Sequence, residues 1–322
     1  MSYNKEDYIR VKEEFSQKYR RAQLLAEERR LELYGHLPRV RELDGILART
    51  GMDIMAVIAE GGETRAKVEE LHRRNDALLA ERGKILRENG YPEDYSDVQY
   101  ECRACGDTGF IDIRMCDCMR RALAEAGYES SGLGALIRTQ SFENFSLDYY
   151  KESGKAETMR QNVEMLRQFA DRFDKGTYHN FLLFGGTGLG KTHLSTAVAK
   201  TVIERGHDVV YVTAVSLFRD FNAKQFDKGV GMKNDPDRYF EAELLIVDDL
   251  GTEVTNQFTL SCLYDLINQR INQHRCTFLN TNLSYKEFDS RYNERITSRI
   301  FGEYSLLLFS GTDIRRQKLQ HK

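Results

Sequence analysis

An α/β fold, built on a parallel sheet wound on both faces, is predicted by three features of this 322-residue chain. Five short apolar runs alternate with helical stretches across its C-terminal half. The first run leads into "GGTGLGKT", which opens a helix. Ahead of both, "CRACGDTGFIDIRMCDC" holds four of the six cysteines, from Cys102 to Cys118. Together they predict a phosphate-loop domain with a five-stranded parallel sheet, preceded by a helical N-terminal region and a small cysteine knuckle.

Bulk composition narrows the classes. The formal net charge is −3, so no global basic field announces nucleic acid, and any such contact must be a local patch. The opening "MSYNKEDYIRVKEEF" lacks the apolar core of a signal peptide, and no apolar run is long enough to span a bilayer. The expectation is a cytoplasmic protein without membrane contact. In that compartment clustered thiols are more often metal ligands than disulfides.

Residues 1–95 are predicted to form a helical, partner-docking region. Tyr8, Val11, Phe15, Tyr19, Ala22 and Ala26 step by three or four and share one helix face. Val68, Leu71, Asn75, Leu78, Arg82 and Ile85 alternate threes and fours like a heptad, with two polar seam positions. Between them, "LDGILARTGMDIMAVIAEGG" reads as shorter helices broken at Gly51 and Gly61. Such stripes either pack on one another or face a partner. Gly90 and Pro92 supply a helix stop. Residues 96–130 hold the cysteine knuckle and a short helix at "MRRALAEAGY". "SSGLG" reads as a flexible break within a linker, 131–141, and a new domain, 142–322, starts near "TQSFENF".

In that domain "NFLLF", "DVVYVT", "LLIVDD", "CTFLNT" and "SLLLF" are brief, rich in Val, Ile, Leu and Phe, and not cleanly alternating. Strands buried on both faces of a parallel sheet have this composition.

The loop Gly185, Gly186, Thr187, Gly188, Leu189, Gly190, Lys191, Thr192 fits G-x-x-x-x-G-K-[ST], with His193 following in the helix. Its glycines let backbone N–H groups turn inward, and the helix N-terminus adds partial positive charge; both favour an anion. The motif points to ATP, with Lys191 on the β- and γ-phosphates and the Thr192 hydroxyl on Mg²⁺. Asp248 ends the apolar run "LLIVDD" and would hold Mg²⁺ directly or through water. Asp249 is the candidate to polarise an attacking water, since that water must lose a proton.

The cysteine spacing is Cys102-x₂-Cys105-x₁₀-Cys116-x-Cys118. Four thiolates in one short segment suit tetrahedral Zn²⁺, and a fully ligated ion is structural. An iron–sulfur cluster is the rival metal centre, and four thiols without any metal are the other alternative. Asp112, Asp117 and the "DTG" from Asp107 to Gly109 read as turn or cap residues, and Cys262 and Cys276 as small buried hydrophobes. A segment this short has little core, so the metal would supply folding free energy and brace the N-terminal helices.

"GKTHL", "LLIVDDLG", "NTNLS", "RITSRI" and "GTDIRR" together resemble the DnaC/DnaI type of replicative-helicase loader within the AAA+ ATPases, from about Phe142 to Arg316. The "CxxCxDTG…CxC" pattern resembles cysteine modules attached to loaders of Gram-positive bacteria. The resemblance implies that Asn282 is the first sensor, on a strand lying between the phosphate-loop strand and the Asp248 strand. It implies that Arg295 and Arg299 reach a neighbouring subunit's ATP site, and that Arg315, with Arg316 as rival, is the second sensor. The implied partners are a hexameric replicative DNA helicase, single-stranded DNA and further copies of the chain. Asp249 departs from the family's usual Glu, which implies slow hydrolysis. Thirteen residues follow Phe309, so the resemblance leaves a reduced lid. An IstB-like transposition helper and a nucleotide-binding adaptor with little turnover are the alternatives.

"VSLFRDFNAKQFDKGVGMKNDPDRYFEAE" interleaves Phe218, Phe221 and Phe226 with Arg219, Lys224, Lys228 and Lys233. Stacking faces beside phosphate-neutralising charge are what single-stranded DNA needs. The three-residue step from Phe218 to Phe221 also fits simple packing of a helix on the sheet.

Overall fold

The computed structural model describes residues 3–60, 65–151, 153–174, 176–226 and 236–320. By backbone proximity the chain forms two compact units, Lys12–Cys116 on the one hand and Met1–Val11 with Asp117–Lys322 on the other.

The first unit is helical. Helix α1 (Lys5–His36) starts where the Asn4 carboxamide accepts the N–H groups of Glu6 and Asp7, a side-chain cap. Val11, Phe15, Ala22 and Ala26 of the predicted stripe are buried, whereas Tyr19 is 39% exposed and stacks on Tyr100. Helix α2 (Pro38–Glu60) opens on proline, whose fixed φ suits a first helical position. It runs unbroken through Gly51, which corrects the expected break there. A helical glycine costs about 1 kcal/mol relative to alanine, too little by itself to end a helix. Gly61 lies outside the described residues.

Helix α3 (Arg65–Glu88) carries the heptad-like stripe on its half-buried face, and Gly90 follows with φ 80°. Its seam residue Arg82 is accounted for by an ion pair with Asp44 of α2 at 2.7 Å and a bond to Ser96 at 2.8 Å. Leu33, Val40 and Leu86 close the core of the unit, with Tyr34, Tyr91 and Tyr95 packed around them. A two-stranded hairpin follows, β1 (Phe110–Ile111) with β2 (Arg114–Met115).

The second unit begins with α4 (Asp117–Ser130) and α5 (Leu136–Thr139), then a 3₁₀ turn at Asp148–Tyr150 and α6 (Ala156–Arg172). The sheet elements are β3 (Asn180–Phe184), α7 (Lys191–Glu204), β4 (Val209–Thr213), α8 (Ala214–Phe226) and α9 (Asp237–Glu241). They continue with β5 (Leu244–Leu250), α10 (Gln257–Asn272) and β6 (Cys276–Thr281). The chain closes with α11 (Tyr285–Arg291), α12 (Glu294–Glu303), β7 (Tyr304–Leu308) and α13 (Ile314–Gln320).

All five strands pair in parallel, in the order β4-β5-β6-β3-β7. Strand β6 therefore lies between the phosphate-loop strand β3 and the Asp248 strand β5, as the resemblance implies. Successive strand residues enter opposite cores. Phe181, Leu183, Ile246 and Phe278 face α6 and α7, while Leu182, Leu245, Val247 and Leu279 face the side packed by Leu217, Leu263 and Ile300. Both faces are covered, which is why the strands read as continuous apolar runs.

The segment 131–134 is not a flexible break. The Tyr211 N–H of edge strand β4 donates to the Ser131 carbonyl at 2.7 Å, and Leu133 and Ile137 are buried in the sheet's core. Gly132 makes the approach possible: its φ is 84°, and a Cβ there would stand 2.4 Å from the Tyr211 carbonyl oxygen.

Arg270 of α10 is fully buried and donates to the carbonyls of Tyr239, Ala242 and Cys276 and to the Thr277 hydroxyl. Burial pushes its guanidinium down to about 9, and the four acceptors keep it satisfied. Cys276 is buried in the core on the α6–α7 side, as expected, and Cys262, partly buried, packs against the core on the opposite face.

Candidate nucleotide site and cysteine cluster

The loop between β3 and α7 sits at the C-terminal edge of the sheet, where open α/β sheets bind ligands. Gly185 has φ 146°, and a Cβ there would fall 1.9 Å from the Phe309 carbonyl oxygen, so no other residue fits. The loop is held from outside by the Tyr150 hydroxyl, which donates to the Leu189 carbonyl at 2.8 Å. The Ile314 N–H adds a bond to the Gly188 carbonyl at 3.0 Å. Beside it lies a cleft of about 370 Å³, with residues 187–193 on its floor and Phe145, Tyr149, Ile314 and Arg315 on its walls.

The charged residues expected from the sequence converge here. The Lys191 ammonium donates to the carbonyls of Gly185 (2.6 Å) and Gly186 (2.8 Å) and to Asn282 Oδ1 (2.8 Å). Asn282 Nδ2 donates in turn to Asp249 Oδ1 at 3.0 Å, so one carboxamide bridges the lysine and the carboxylate. Asp249 sits at φ 54°, where β5 shifts register against β6 between Val247 and Leu250. The left-handed turn sends Asp249 to the cleft while Asp248 stays inside the sheet. Burial pulls the Lys191 ammonium down to about 8 against the opposing pull of Asp248 and Asp249, and Arg315 adds to the lowering. His193 Nε2 donates to the Ser141 carbonyl (2.8 Å), the ring stands edge-on to Phe145, and burial holds the imidazole below its usual range. A carbonyl can only accept, so the His193 Nε2 carries the proton there.

Asp248 is 4% exposed and accepts four donors. Its Oδ1 takes the Asp249 N–H (3.0 Å) and Asn280 Nδ2 (2.9 Å). Its Oδ2 takes the Thr192 hydroxyl (2.9 Å) and the Tyr211 hydroxyl. Thr192 and Asp248 are hard oxygen donors, the set that suits Mg²⁺. Asn280 and Tyr211 were missed in the sequence. The available signal was a polar residue inside each of two apolar runs, "CTFLNT" and "DVVYVT". Lys318 also lines the cleft and was missed, being one of several terminal cations.

Arg315 lines the cleft and its rival Arg316 does not. Arg295 and Arg299 are exposed on α12 and do not line it. Phe218 is buried and Phe221 packs against Tyr239 and Phe240, so both serve the core, and neither offers a free stacking face. Lys224 pairs with Asp237 at 2.5 Å. Lys228, Lys233 and the Phe226 side chain lie outside the described residues.

A chain so arranged is matched by a family model described as the IstB-like ATP binding protein, over residues 135–302. This chain belongs to that family. Its relatives include the replicative helicase loader DnaC of Escherichia coli strain K12, 23% identical over 195 residues (61% of this chain, 76% of the relative). DnaC of Buchnera aphidicola subsp. Baizongia pistaciae is 24% identical over 190 residues (59% and 74%). Among solved structures, a DnaI crystal structure superposes with a TM-score of 0.46 at 19% identity, covering 56% of this chain and 94% of that one. A DnaC helicase loader structure gives 0.45 at 19% identity, covering 54% and 98%.

The family match starts at residue 135, beyond the cysteines of this IstB-like chain. The ligand atoms of Cys102, Cys105, Cys116 and Cys118 all lie within 4.8 Å of one another. A tetrahedron with Zn–S bonds of about 2.3 Å has sulfurs about 3.8 Å apart, and Cys102 and Cys116 stand at 3.9 Å. The four thiols therefore fit one ion. An iron–sulfur cluster would need room for bridging sulfides between them, which a set this close does not leave.

The local backbone builds the cluster. Asp107, buried at φ 57°, accepts the N–H groups of Glu101 (2.9 Å) and Cys102 (2.7 Å), and the Thr108 hydroxyl donates to the Cys105 carbonyl at 2.6 Å. Both are turn residues, as expected, and not ligands. The Cys116 N–H returns to the Gly109 carbonyl at 2.9 Å. The long gap in the spacing is taken up by the β1–β2 hairpin, with Asp112 at φ 52° in its turn.

Proposed function

We propose that this chain is an ATP-dependent loader of the hexameric replicative DNA helicase onto single-stranded DNA. The observation that carries the enzymatic part is the continuous set Lys191–Asn282–Asp249 beside Thr192–Asp248. A triphosphate entering the cleft replaces the loop carbonyls as partner of the Lys191 ammonium, and the N–H groups that open α7 face its oxygens. Asn282 lies between lysine and carboxylate, where its amide can orient a water against the γ-phosphate. Asp249 takes that water's proton as its oxygen bonds to phosphorus and the β-phosphate oxygen leaves. Bound Mg²⁺ would neutralise charge on the β- and γ-oxygens, with Thr192 and Asp248 as its holders. Arg315 faces the same cleft as second sensor. On this reading Arg295 and Arg299, exposed on α12, serve a neighbouring copy's site, so that assembly switches turnover on.

The DnaC relatives and the helical unit support the loader reading, with residues 1–95 as helicase dock and the Cys102–Cys118 segment as a zinc brace. Light scattering on a sizing column, with the host's own helicase and with or without ATP, tests it. The expected result is a defined complex that requires residues 1–95. Separate peaks under every nucleotide condition would exclude the helicase as partner.

The IstB-like family match favours a second reading, a transposition helper whose DNA-bound assembly serves a transposase. Tight ATP binding with no turnover, even with DNA and partner, would instead make the chain a nucleotide-binding adaptor.

A further inference from the structure

We propose that Tyr211 is a positioning residue of the nucleotide site, fixing Asp248 for its part in holding the divalent ion and tying that carboxylate to the end of α4. The inference rests on the ATP-site reading above and adds a residue to it.

Tyr211 lies on β4, one strand out from Asp248, with its backbone opposite Ile246. Its ring is buried, and its hydroxyl donates to Asp248 Oδ2, the same oxygen that accepts from Thr192. A carboxylate has about four lone-pair positions, and here four donors fill them. Asp248 is thus held in one rotamer from two sides, by Asn280 and the Asp249 N–H on Oδ1 and by Thr192 and Tyr211 on Oδ2. Thr192 must also serve the ion, so Tyr211 is the donor that keeps Oδ2 in place when the threonine hydroxyl turns to other work. A phenol is protonated at neutral pH, so the hydroxyl is available as a donor.

The backbone of Tyr211 is fixed as firmly as its side chain. Its N–H donates to Ser131, and its carbonyl is approached so closely by Gly132 that no side chain fits there. Ser131 directly follows α4, which is itself locked in place. Tyr128 donates to Glu204 of α7 at 2.6 Å, and Arg238 donates to the Ser130 carbonyl at 2.7 Å. The helix that begins one residue before Cys118 therefore ends on the residue that holds Asp248.

The test is Tyr211→Phe in the full-length chain, which keeps the ring and removes one hydroxyl. Affinity for a fluorescent ATP analogue is titrated against Mg²⁺, and then measured without divalent ions. Outer-shell partners of metal ligands typically contribute about 10–100-fold in metal affinity. The Mg²⁺ concentration giving half-maximal enhancement should rise about tenfold, with metal-free nucleotide affinity unchanged as evidence of an intact fold.

Adding Y211F to Asp248→Asn should then shift the Mg²⁺ midpoint no further, because the tyrosine acts through that carboxylate. An unchanged or tighter Mg²⁺ midpoint in Y211F, or an equal shift in both backgrounds, would overturn the proposal. If Y211F proves too unstable to titrate, melting temperatures of the four proteins give the same coupling, and additive losses would overturn it. Wild-type protein that binds no nucleotide at any Mg²⁺ concentration would instead bring down the ATP-site reading.

Discussion

Lys191 is the most perturbed charge of the site, and its perturbation has a measurable consequence. Burial lowers the ammonium to about 8, while a bound triphosphate favours its charged form. Nucleotide binding must then take up a proton above that value. Affinity should be flat below about pH 8 and fall as pH rises through it, by up to tenfold per unit, as read by equilibrium binding of a fluorescent nucleotide between pH 6.5 and 9.5. A pH-independent affinity would show that Lys191 does not meet the phosphates.

Asp249 permits a cleaner separation of binding from chemistry. Its carboxylate contacts Asn282 and not the loop, so Asp249→Asn should leave ATP affinity within about threefold while lowering turnover by roughly 10²–10⁴-fold, the usual range for a general base. Equal losses in binding and turnover would assign Asp249 to the fold. The positive φ at Asp249 was not legible in the sequence, because it arises where β5 shifts register against β6.

At the level of elements, α12 carries the most direct prediction. Its buried side is Ile296, Thr297 and Ile300, and Arg295 and Arg299 point to solvent on the other. Replacing either arginine with alanine removes no core contact, so the melting temperature should stay within about 2 °C. If they serve a neighbouring copy, assembly-stimulated turnover should fall at least 100-fold while the basal rate of dilute protein is unchanged. An arginine finger is worth roughly 10³–10⁵ elsewhere. Loss of basal activity in dilute protein would place them in their own chain's site.

The cysteine hairpin is the other element with its own test. Asp107 and Thr108 shape its turn, but the segment has almost no core, so metal binding and folding should be one event. Mass spectrometry under native conditions should find one zinc per chain. Cys105→Ser should lose it and open residues 99–118 to protease. A zinc-free chain that resists protease there would make the thiols structural without metal.

For the whole molecule, the division into units differs from a reading of linkers. Residues 131–141 look like a connection because they hold Gly132 and Gly134 and few long apolar runs. In the fold they carry Leu133 and Ile137 into the sheet's core and brace β4. The phosphate-loop unit accordingly takes in α4 and the first residues of the chain, through Val11. Local patterning could not show this, since what holds the segment is a partner about 80 positions away in sequence, Tyr211.

The sequence by itself determined the phosphate loop, the two aspartates, the four cysteines and the five strands. Each is a local pattern whose chemistry depends on neighbours in the chain: glycines that free a loop, thiols at ligand spacing, apolar runs that demand burial on both faces. Tertiary structure alone decided which polar residues surround Asp248, where Phe218 and Phe221 go, and which terminal arginine faces the cleft. Those depend on parallel strand order, and parallel pairing joins residues far apart in sequence through crossovers that leave no local trace.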